Sequence, residues 1–266
     1  LVHNEYHGFE RGDCADSHHF NCWYNSITSV VSTDGGKTFQ HAHEPPEHLV
    51  ATLPYPYAPD TAAVGLFSPS NIVRDDDGYF YALAKVGANL TGAQTVCLMR
   101  TDDLDDPGSW RFWDGKQFEG VFVNPYEAVP ENPADHECPA LALGEIGAQM
   151  IESLTWNDYL EQWLLVGISA DSIDGREVWG FYYSWSNNLI DWTKRKLLME
   201  IALPWTVEDN AFDEQHLYPS LLDPNSESMS FETTGKTAYL YFTRTNEGYE
   251  RLDRDLVRIP INIDGP

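Results

Sequence analysis

Basic side chains are scarce in this sequence. Its 266 residues include 16 Lys and Arg against 42 Asp and Glu, which gives a formal net charge of −26. A polyphosphate needs Lys and Arg to replace its counterions, and an anionic membrane attracts the same cations. The charge balance therefore excludes most nucleic-acid partners and most binding to anionic membranes.

Long hydrophobic runs and the commonest zinc motifs are also missing. No stretch approaches ~18 consecutive apolar residues, and residues 1–5 have neither the basic nor the apolar region of a signal peptide. Neither a C-x-x-C nor an H-E-x-x-H pattern occurs. We therefore expect no helix that crosses a membrane and no catalytic metal.

Cysteine is sparse, with four residues in the chain. Cys14 and Cys22 bracket a polar loop, a spacing that allows a local disulfide in an oxidising compartment without requiring one. Cys97 lies within the apolar run at residues 96–99 and is predicted to be a core residue.

Aromatic residues, in contrast, are abundant. The chain has 9 Trp, 14 Tyr and 12 Phe, which together make up 13% of its residues. Disordered chains lack such residues, and a chain of this length can bury a sizeable core. So many flat, amphipathic rings suit a folded β protein, and they also suit sugar binding.

Three hairpins of one kind recur along the chain. Each consists of a strand, a polar turn with Asp or Asn, and an aromatic residue that closes the turn; they span residues 29–39, 96–110 and 180–192. The Asx side chain bonds the backbone of the turn, and we expect the aromatic ring to cover it. Alternating segments bounded by Gly, Asp, Asn and Pro run through the chain, which predicts an all-β fold.

A second pair of strands recurs before the later two hairpins, at residues 69–84 and 150–167, with a third copy at 218–242. Four strands per repeat, at a spacing of roughly 70 to 80 residues, are typical of a β-propeller blade. Residues 1–8 match the second strand of a blade, so we expect the first blade to be incomplete and the natural protein to extend upstream. A β-sandwich with coincidental hairpins is the alternative.

Two parts of the chain resemble known propeller proteins. Residues 68–81, together with 97–110, resemble blades of the five-bladed β-propeller glycoside hydrolases, the superfamily of families 43, 32, 62, 68 and 117. Residues 32–39 are similar to the sialidase Asp-box, an architectural motif on an outer hairpin. The resemblance implies one five-bladed propeller catalytic domain over residues 1–266, with four-stranded antiparallel blades.

The resemblance also implies a function. It predicts an extracellular or periplasmic glycoside hydrolase that acts on a carbohydrate substrate and requires no cofactor. Many propellers hold a cation in the axial channel, and a structural Ca²⁺ there would fit the acidic composition.

Blade position then selects the residues that face the pocket. In a propeller the first strand of each blade lines the axis, and the ligand face lies at its N-terminal end and at the loop between strands two and three. The substrate-binding candidates at these positions are His7, Ser70, Asn71, Lys85, Ser153, His216, Tyr218 and Arg244.

Hydrolysis of a glycosidic bond needs one carboxylic acid to protonate the leaving oxygen and one carboxylate to activate water or attack carbon. Glu152 is predicted to start an innermost strand between apolar neighbours, where burial would favour the protonated form that a general acid requires. Glu5, flanked by His3 and His7, is the second candidate. In the family pattern the general base is an Asp on the first strand of the first blade, a segment expected upstream of Leu1. A structural ion pair is the alternative for either glutamate.

Two other functions fit the same pattern. One is a non-catalytic sugar-binding propeller, in which Trp and Tyr rings stack on sugars but a working acid pair is absent. The other is a phosphorylase of the same architecture, in which Lys85, Arg244 and the pocket histidines would hold phosphate.

Overall fold

The computed structural model describes residues 1–15, 21–87, 94–141, 146, 150–206, 214–228, 230–247 and 253–265. Within these ranges, regular structure consists of β-strands, two short 3₁₀ helices at Pro107–Ser109 and Pro133–His136, and one helical position at Ile146. The all-β prediction is confirmed. No helix in these ranges is long and apolar enough to cross a membrane.

The chain divides into two compact units, Leu1–Leu141 and Ala142–Pro266. The strands described in unit 1 are β1 (Val2–His7), β2 (Trp23–Thr28), β3 (Val30–Val31), β4 (Gln40–His41), β5 (Leu49–Ala51), β6 (Ala63–Phe67), β7 (Val73–Arg74), β8 (Phe80–Gly87), β9 (Gln94–Thr101), β10 (Arg111–Phe112) and β11 (Gly120–Val121). Those in unit 2 are β12 (Ser153–Asn157), β13 (Gln162–Ile173), β14 (Arg176–Ser186), β15 (Lys196–Glu200), β16 (Gln215–Leu222), β17 (Thr233–Thr234), β18 (Thr237–Thr245) and β19 (Arg254–Asn262). The expectation of a single catalytic domain stays a prediction.

One sheet of unit 1 has the order β1-β2-β6-β8-β9-β10-β11, with β5 also on β2 and β7 also on β8, while β3 and β4 form a separate pair. All its pairings are antiparallel except the parallel contact between β2 and β6. At that contact Asn25 faces Gly65, where a Cβ atom would lie 2.2 Å from the Asn25 carbonyl oxygen. Gly65 also has a φ of +123°, so only glycine permits this approach.

Unit 2 contains a complete four-stranded antiparallel blade. Strands β12, β13, β14 and β15 pair in chain order, and β17 adds to β12 in parallel. The long β13–β14 hairpin turns at Asp174 and Gly175, which both have positive φ, as a two-residue Asp-Gly turn requires. Strands β16, β18 and β19 form a second antiparallel sheet. The four-stranded blade agrees with the predicted repeat, and the count of five blades stays a prediction.

The core of unit 1 explains the unbroken apolar runs in the sequence. Residues 81–84 of β8 and 96–99 of β9 are buried on both faces of the sheet, so their side chains need not alternate between apolar and polar. Unit 2 has its own core, in which Leu164, Phe181, Leu240 and Phe242 are buried together.

The three predicted hairpin turns share one bonding pattern. Each has a hydroxyl residue two positions before an Asx residue, and both side chains bond the turn: Ser32 with Asp34, Thr101 with Asp103, and Ser186 with Asn188. The closing aromatic is buried in the later two turns, at Trp110 and Trp192, but Phe39 is 64% exposed. A Cβ atom at Gly36 would lie 3.9 Å from Phe39 Cζ, so the exposed ring still lies beside its turn.

Two disulfides lie in unit 1. Cys14 and Cys22 are bridged, as their spacing allowed, and Cys97 is bridged to Cys138. Cys97 is fully buried, so its predicted place in the core is confirmed, but the sequence did not predict its partner 41 residues away. Two disulfides fit an oxidising compartment.

Removing each disulfide should cost a different amount of stability. Replacing Cys97 and Cys138 by Ala is expected to lower the free energy of unfolding by about 4 kcal/mol, against about 2.5 kcal/mol for Cys14 and Cys22, because the longer loop restricts the unfolded chain more. Urea unfolding of the two double variants beside the wild type measures this order. An equal or larger loss at Cys14–Cys22 would contradict it.

Candidate active site

Alternation along β1 places three functional side chains on one face of the sheet. His3, Glu5 and His7 are each two residues apart, so all three point to the same side. His7 Nε2 donates a hydrogen bond to the Glu5 carboxylate at 2.8 Å, and His3 Nδ1 lies 3.5 Å from its other oxygen. Glu5 is 40% exposed, so its carboxylate is accessible from solvent while two imidazoles flank it.

A buried amide fixes the ring of His3. Asn25 lies fully buried in β2, and its Nδ2 donates to the Val64 carbonyl at 3.3 Å. That bond orients Oδ1 to accept a hydrogen bond from His3 Nε2 at 3.0 Å. In neutral His3 the proton therefore lies on Nε2, and Nδ1 faces Glu5 without a proton.

Lys85 completes this group from β8. The Lys85 Nζ atom lies 5.7 Å from the centre of the Phe67 ring. The centre of the His3 ring lies 5.4 Å from the centre of the same ring, so both side chains are neighbours of Phe67. Burial lowers the pKa of His3 below its ordinary value of 6.5; the charge of Glu5 and the bond to Asn25 oppose this, while the charges of His7 and Lys85 lower it further. We name His3, Glu5, His7, Asn25 and Lys85 the Glu5 face.

The Glu5 face therefore unites three of the predicted site residues: Glu5, His7 and Lys85. Sequence reasoning did not select His3 or Asn25 as site residues. The i, i+2 spacing of His3 and Glu5 is a signal that could have identified His3. No local signal marks Asn25, because its role depends on β6.

Glu152 lies in unit 2, one residue before β12, and is half-buried. Its Oε2 accepts hydrogen bonds from the backbone N–H groups of Ile151 and Ile168, each at 3.1 Å. A Cβ atom at Gly167 would lie 2.3 Å from the same oxygen, so the glycine in β13 makes room for the carboxylate. Backbone donors favour the ionised form of a carboxylate, whereas burial favours the neutral form.

Three predicted substrate-binding residues lie near strand ends. Ser70 and Ser153 are buried, and both hydroxyls bond backbone: Ser70 Oγ accepts from Leu83 N and Ser153 Oγ from Leu221 N, each at 2.9 Å. Asn71 is half-buried, and its carbonyl accepts from Ser70 Oγ at 2.7 Å. The two serines thus hold neighbouring strands together, a role that sequence reasoning missed, and sugar contact stays a prediction for all three residues.

Tyr218 is 53% exposed and sits at an irregularity in β16. Its φ is +57°, just before Pro219, and Ser68 before Pro69 has a φ of +40°. Both copies of this predicted repeat therefore have a residue with positive φ directly before a proline. Of these two residues, Tyr218 is the one whose side chain could reach a ligand.

His216 and Arg244 are brought together in unit 2, since they face each other across β16 and β18. Both approach Glu214: His216 Nε2 lies 3.0 Å and an Arg244 nitrogen 3.9 Å from its carboxylate oxygens. Arg244 also bonds Asp255 at 2.8 Å, and this bond lowers the pKa of the Asp255 carboxyl. His216 and Arg244 therefore each already have an acidic partner.

Within the ranges that the structure describes, no group of three or more His, Cys, Asp or Glu side chains is arranged to hold a metal ion. The axial Ca²⁺ stays a prediction.

Comparison with known proteins gives distant structural similarities. No family model matches the chain, and no curated protein sequence matches it. Among solved structures, the catalytic domain of a family 62 α-L-arabinofuranosidase from Coprinopsis cinerea is 14% identical, with a TM-score of 0.37, over 74% of this chain and 50% of that one. A glycosyl hydrolase from Bacteroides ovatus is 11% identical, with a TM-score of 0.45, over 94% of this chain and 60% of that one.

An endo-1,5-α-L-arabinanase from Thermotoga petrophila is 11% identical, with a TM-score of 0.32, over 91% of this chain and 72% of that one. The chain spans about half the length of the two family 62 structures that it matches. At this level of similarity the activities of these proteins do not transfer to this chain.

The lowered pKa of His3 predicts a pH dependence of stability. Between the folded-state pKa and 6.5, the unfolded chain binds a proton more readily than the folded chain, so stability falls as the pH falls through this window. His3→Gln removes this contribution and should lose less stability on acidification. Urea unfolding at several pH values from neutral to mildly acidic compares the two slopes, and identical slopes would contradict the prediction.

Proposed function

We propose that this protein hydrolyses glycosidic bonds of a carbohydrate, with Glu5 and Glu152 as its two carboxyl groups. The Glu5 face carries the proposal, because an accessible carboxylate between two imidazoles is suited to the chemistry that this reaction needs.

Glu5 would act as the ionised carboxylate. Its carboxylate accepts a hydrogen bond from His7 Nε2 at 2.8 Å, and its exposure lets a water molecule or a sugar carbon approach. The His7 and Lys85 side chains would supply hydrogen bonds to sugar hydroxyls. The bond from His7 Nε2 would hold Glu5 in position, and Asn25 would fix the His3 ring beside it.

Glu152 would act as the proton donor. This role requires that the half-buried position outweigh the two backbone N–H groups, which favour the ionised form. The alkaline limb of the pH–rate profile measures this balance, because activity falls there as the proton donor ionises. His216, Tyr218 and Arg244 would contribute sugar contacts from unit 2, and Ser70, Asn71 and Ser153 would add contacts near the strand ends.

Hydrolysis is favoured over phosphorolysis by the pairing of Arg244, one of the groups that would hold phosphate. Arg244 already bonds Asp255 and lies 3.9 Å from Glu214, so its charge is largely neutralised before any phosphate arrives. A dependence of product formation on inorganic phosphate would favour the phosphorylase instead.

An extracellular or periplasmic location is proposed with this activity, supported by the two disulfides of unit 1. We also propose that residues 1–266 form a single catalytic propeller with five blades. Among described residues β1 pairs only with β2, which makes it an edge strand of its sheet.

The test is turnover on a panel of aryl glycosides and plant, algal and microbial polysaccharides, with products separated by chromatography. Glu152→Gln and Glu5→Gln should each lower kcat by at least about 100-fold, because each removes a proton-transfer or carboxylate role without changing side-chain size. Sugar binding should be largely retained.

Matched controls are available in each unit. Glu47→Gln and Glu227→Gln change exposed glutamates outside the proposed site and should leave turnover unchanged. Unchanged turnover in Glu5→Gln or Glu152→Gln would remove that residue from the mechanism. No turnover of any glycoside by the wild type would leave the non-catalytic sugar-binding protein as the function.

A further inference from the structure

A cavity lies on the face of the β1–β2 pair opposite to the Glu5 face. Asn4 and Tyr6 point to this side of β1, and their register partners in β2 are Ser26 and Tyr24. The cavity has a volume of about 640 Å³ and is completed by Tyr57 and Tyr126, among other residues of unit 1. We name it the tyrosine cavity after Tyr6, Tyr24, Tyr57 and Tyr126.

The hydroxyl groups of all four tyrosines are engaged by the protein. Tyr6 donates to the Asp13 carboxylate at 3.1 Å, and Tyr57 donates to the Asp13 carbonyl. Tyr24 donates to the Tyr55 carbonyl at 2.5 Å, and burial raises the pKa of Tyr24 to about 12. Tyr126 Oη accepts from Tyr57 N at 2.8 Å. These bonds hold the rings in fixed orientations. A ligand in the cavity would therefore contact the ring surfaces rather than unbonded hydroxyl groups.

Two of these rings are arranged as rigid walls. Tyr6 and Tyr57 contact each other edge to face, with ring centres 4.9 Å apart. Tyr126 is 66% exposed even though its hydroxyl is bonded, which leaves its ring surface open to a ligand. A ring that is already ordered loses little entropy when a ligand stacks on it.

The polar groups that remain are neutral. Asn4 is exposed and Ser26 is half-buried, and in the part of the chain that the structure describes neither side chain makes a hydrogen bond. The Asp13 carboxylate accepts from Tyr6, and the Arg11 guanidinium lies over the Tyr6 ring, 5.6 Å from its centre. The Glu5 carboxylate bonds His7 on the opposite face. The cavity thus has no surplus positive charge for an anionic ligand.

We propose that the tyrosine cavity is a second carbohydrate-binding site, which takes a neutral saccharide. Its fixed ring surfaces match the C–H face of a pyranose, and the Asn4 and Ser26 side chains match its hydroxyls. Glu5 also lines the cavity, but its carboxylate bonds His7 on the other side of the β1–β2 pair, where the Glu5 face lies. The second site is inferred from its own chemistry, so it would also exist in a protein without hydrolytic activity.

Binding measurements on ring variants test this site. Wild type, Tyr126→Ala and Tyr126→Phe are titrated calorimetrically with xylotetraose, mannotetraose and arabinotetraose, and with tetragalacturonate as the anionic comparison. Tyr126→Ala removes the exposed ring and should weaken binding of at least one neutral probe by roughly fivefold to tenfold. Tyr126→Phe keeps the ring and should lose less, although it no longer accepts from Tyr57 N.

The outcome does not depend on turnover. Titrations are repeated with Glu5→Gln and Glu152→Gln, where a Tyr126-dependent affinity should persist even if hydrolysis is lost or never present. Equal affinity in wild type and Tyr126→Ala, binding of tetragalacturonate alone, or no binding of any neutral probe at millimolar concentration would each overturn the proposal. Because Tyr126 is exposed, circular dichroism and the thermal midpoint of the Ala variant should match the wild type, which separates a lost site from a lost fold.

Discussion

The close parallel contact between β2 and β6 is the constraint on which the candidate site in unit 1 depends. A side chain at Gly65 would occupy the position of the Asn25 backbone, so the two strands could not pair. Through this contact, Glu5, Asn25, Gly65 and Gly87 form one row across four strands. Lys85 lies two residues before Gly87 in β8, so this row places it on the same face of the sheet as His3.

The local electrostatics of the two polar groups differ although both lie in a strongly acidic chain. On the Glu5 face, two imidazoles flank a single carboxylate, and the charges of His7 and Lys85 help to lower the pKa of His3. In unit 2, Arg244 lies between two carboxylates. The carboxylate of the first group is flanked by imidazoles and exposed to solvent, whereas the second group pairs its charges within the protein.

Side chains of the β1–β2 pair alternate between its two faces, and the two faces carry different chemical groups. One face bears the carboxylate and the histidines, and the other bears tyrosines whose hydroxyls are bonded to Asp13 and to backbone carbonyls. A single pair of strands can therefore support a reactive group and a rigid, neutral surface without either disturbing the other. Glu152 is supported differently, by backbone N–H groups and by the space that Gly167 leaves.

The sequence by itself determined the features that depend on neighbours along the chain. The alternation of His3, Glu5 and His7, the hydroxyl-and-Asx turns, and the Cys14–Cys22 spacing are local, because strand geometry and short loops set them. Only the tertiary structure decided which strands become neighbours. The Cys97–Cys138 bridge, the approach of Lys85 to His3, and the bond from Leu221 N to Ser153 join residues far apart in sequence. The tertiary structure also decided the exposure of Phe39 and the tyrosine cavity. Whether a side chain is buried or a cavity is enclosed depends on the residues that pack beside it, and the two-residue alternation of a strand does not encode this.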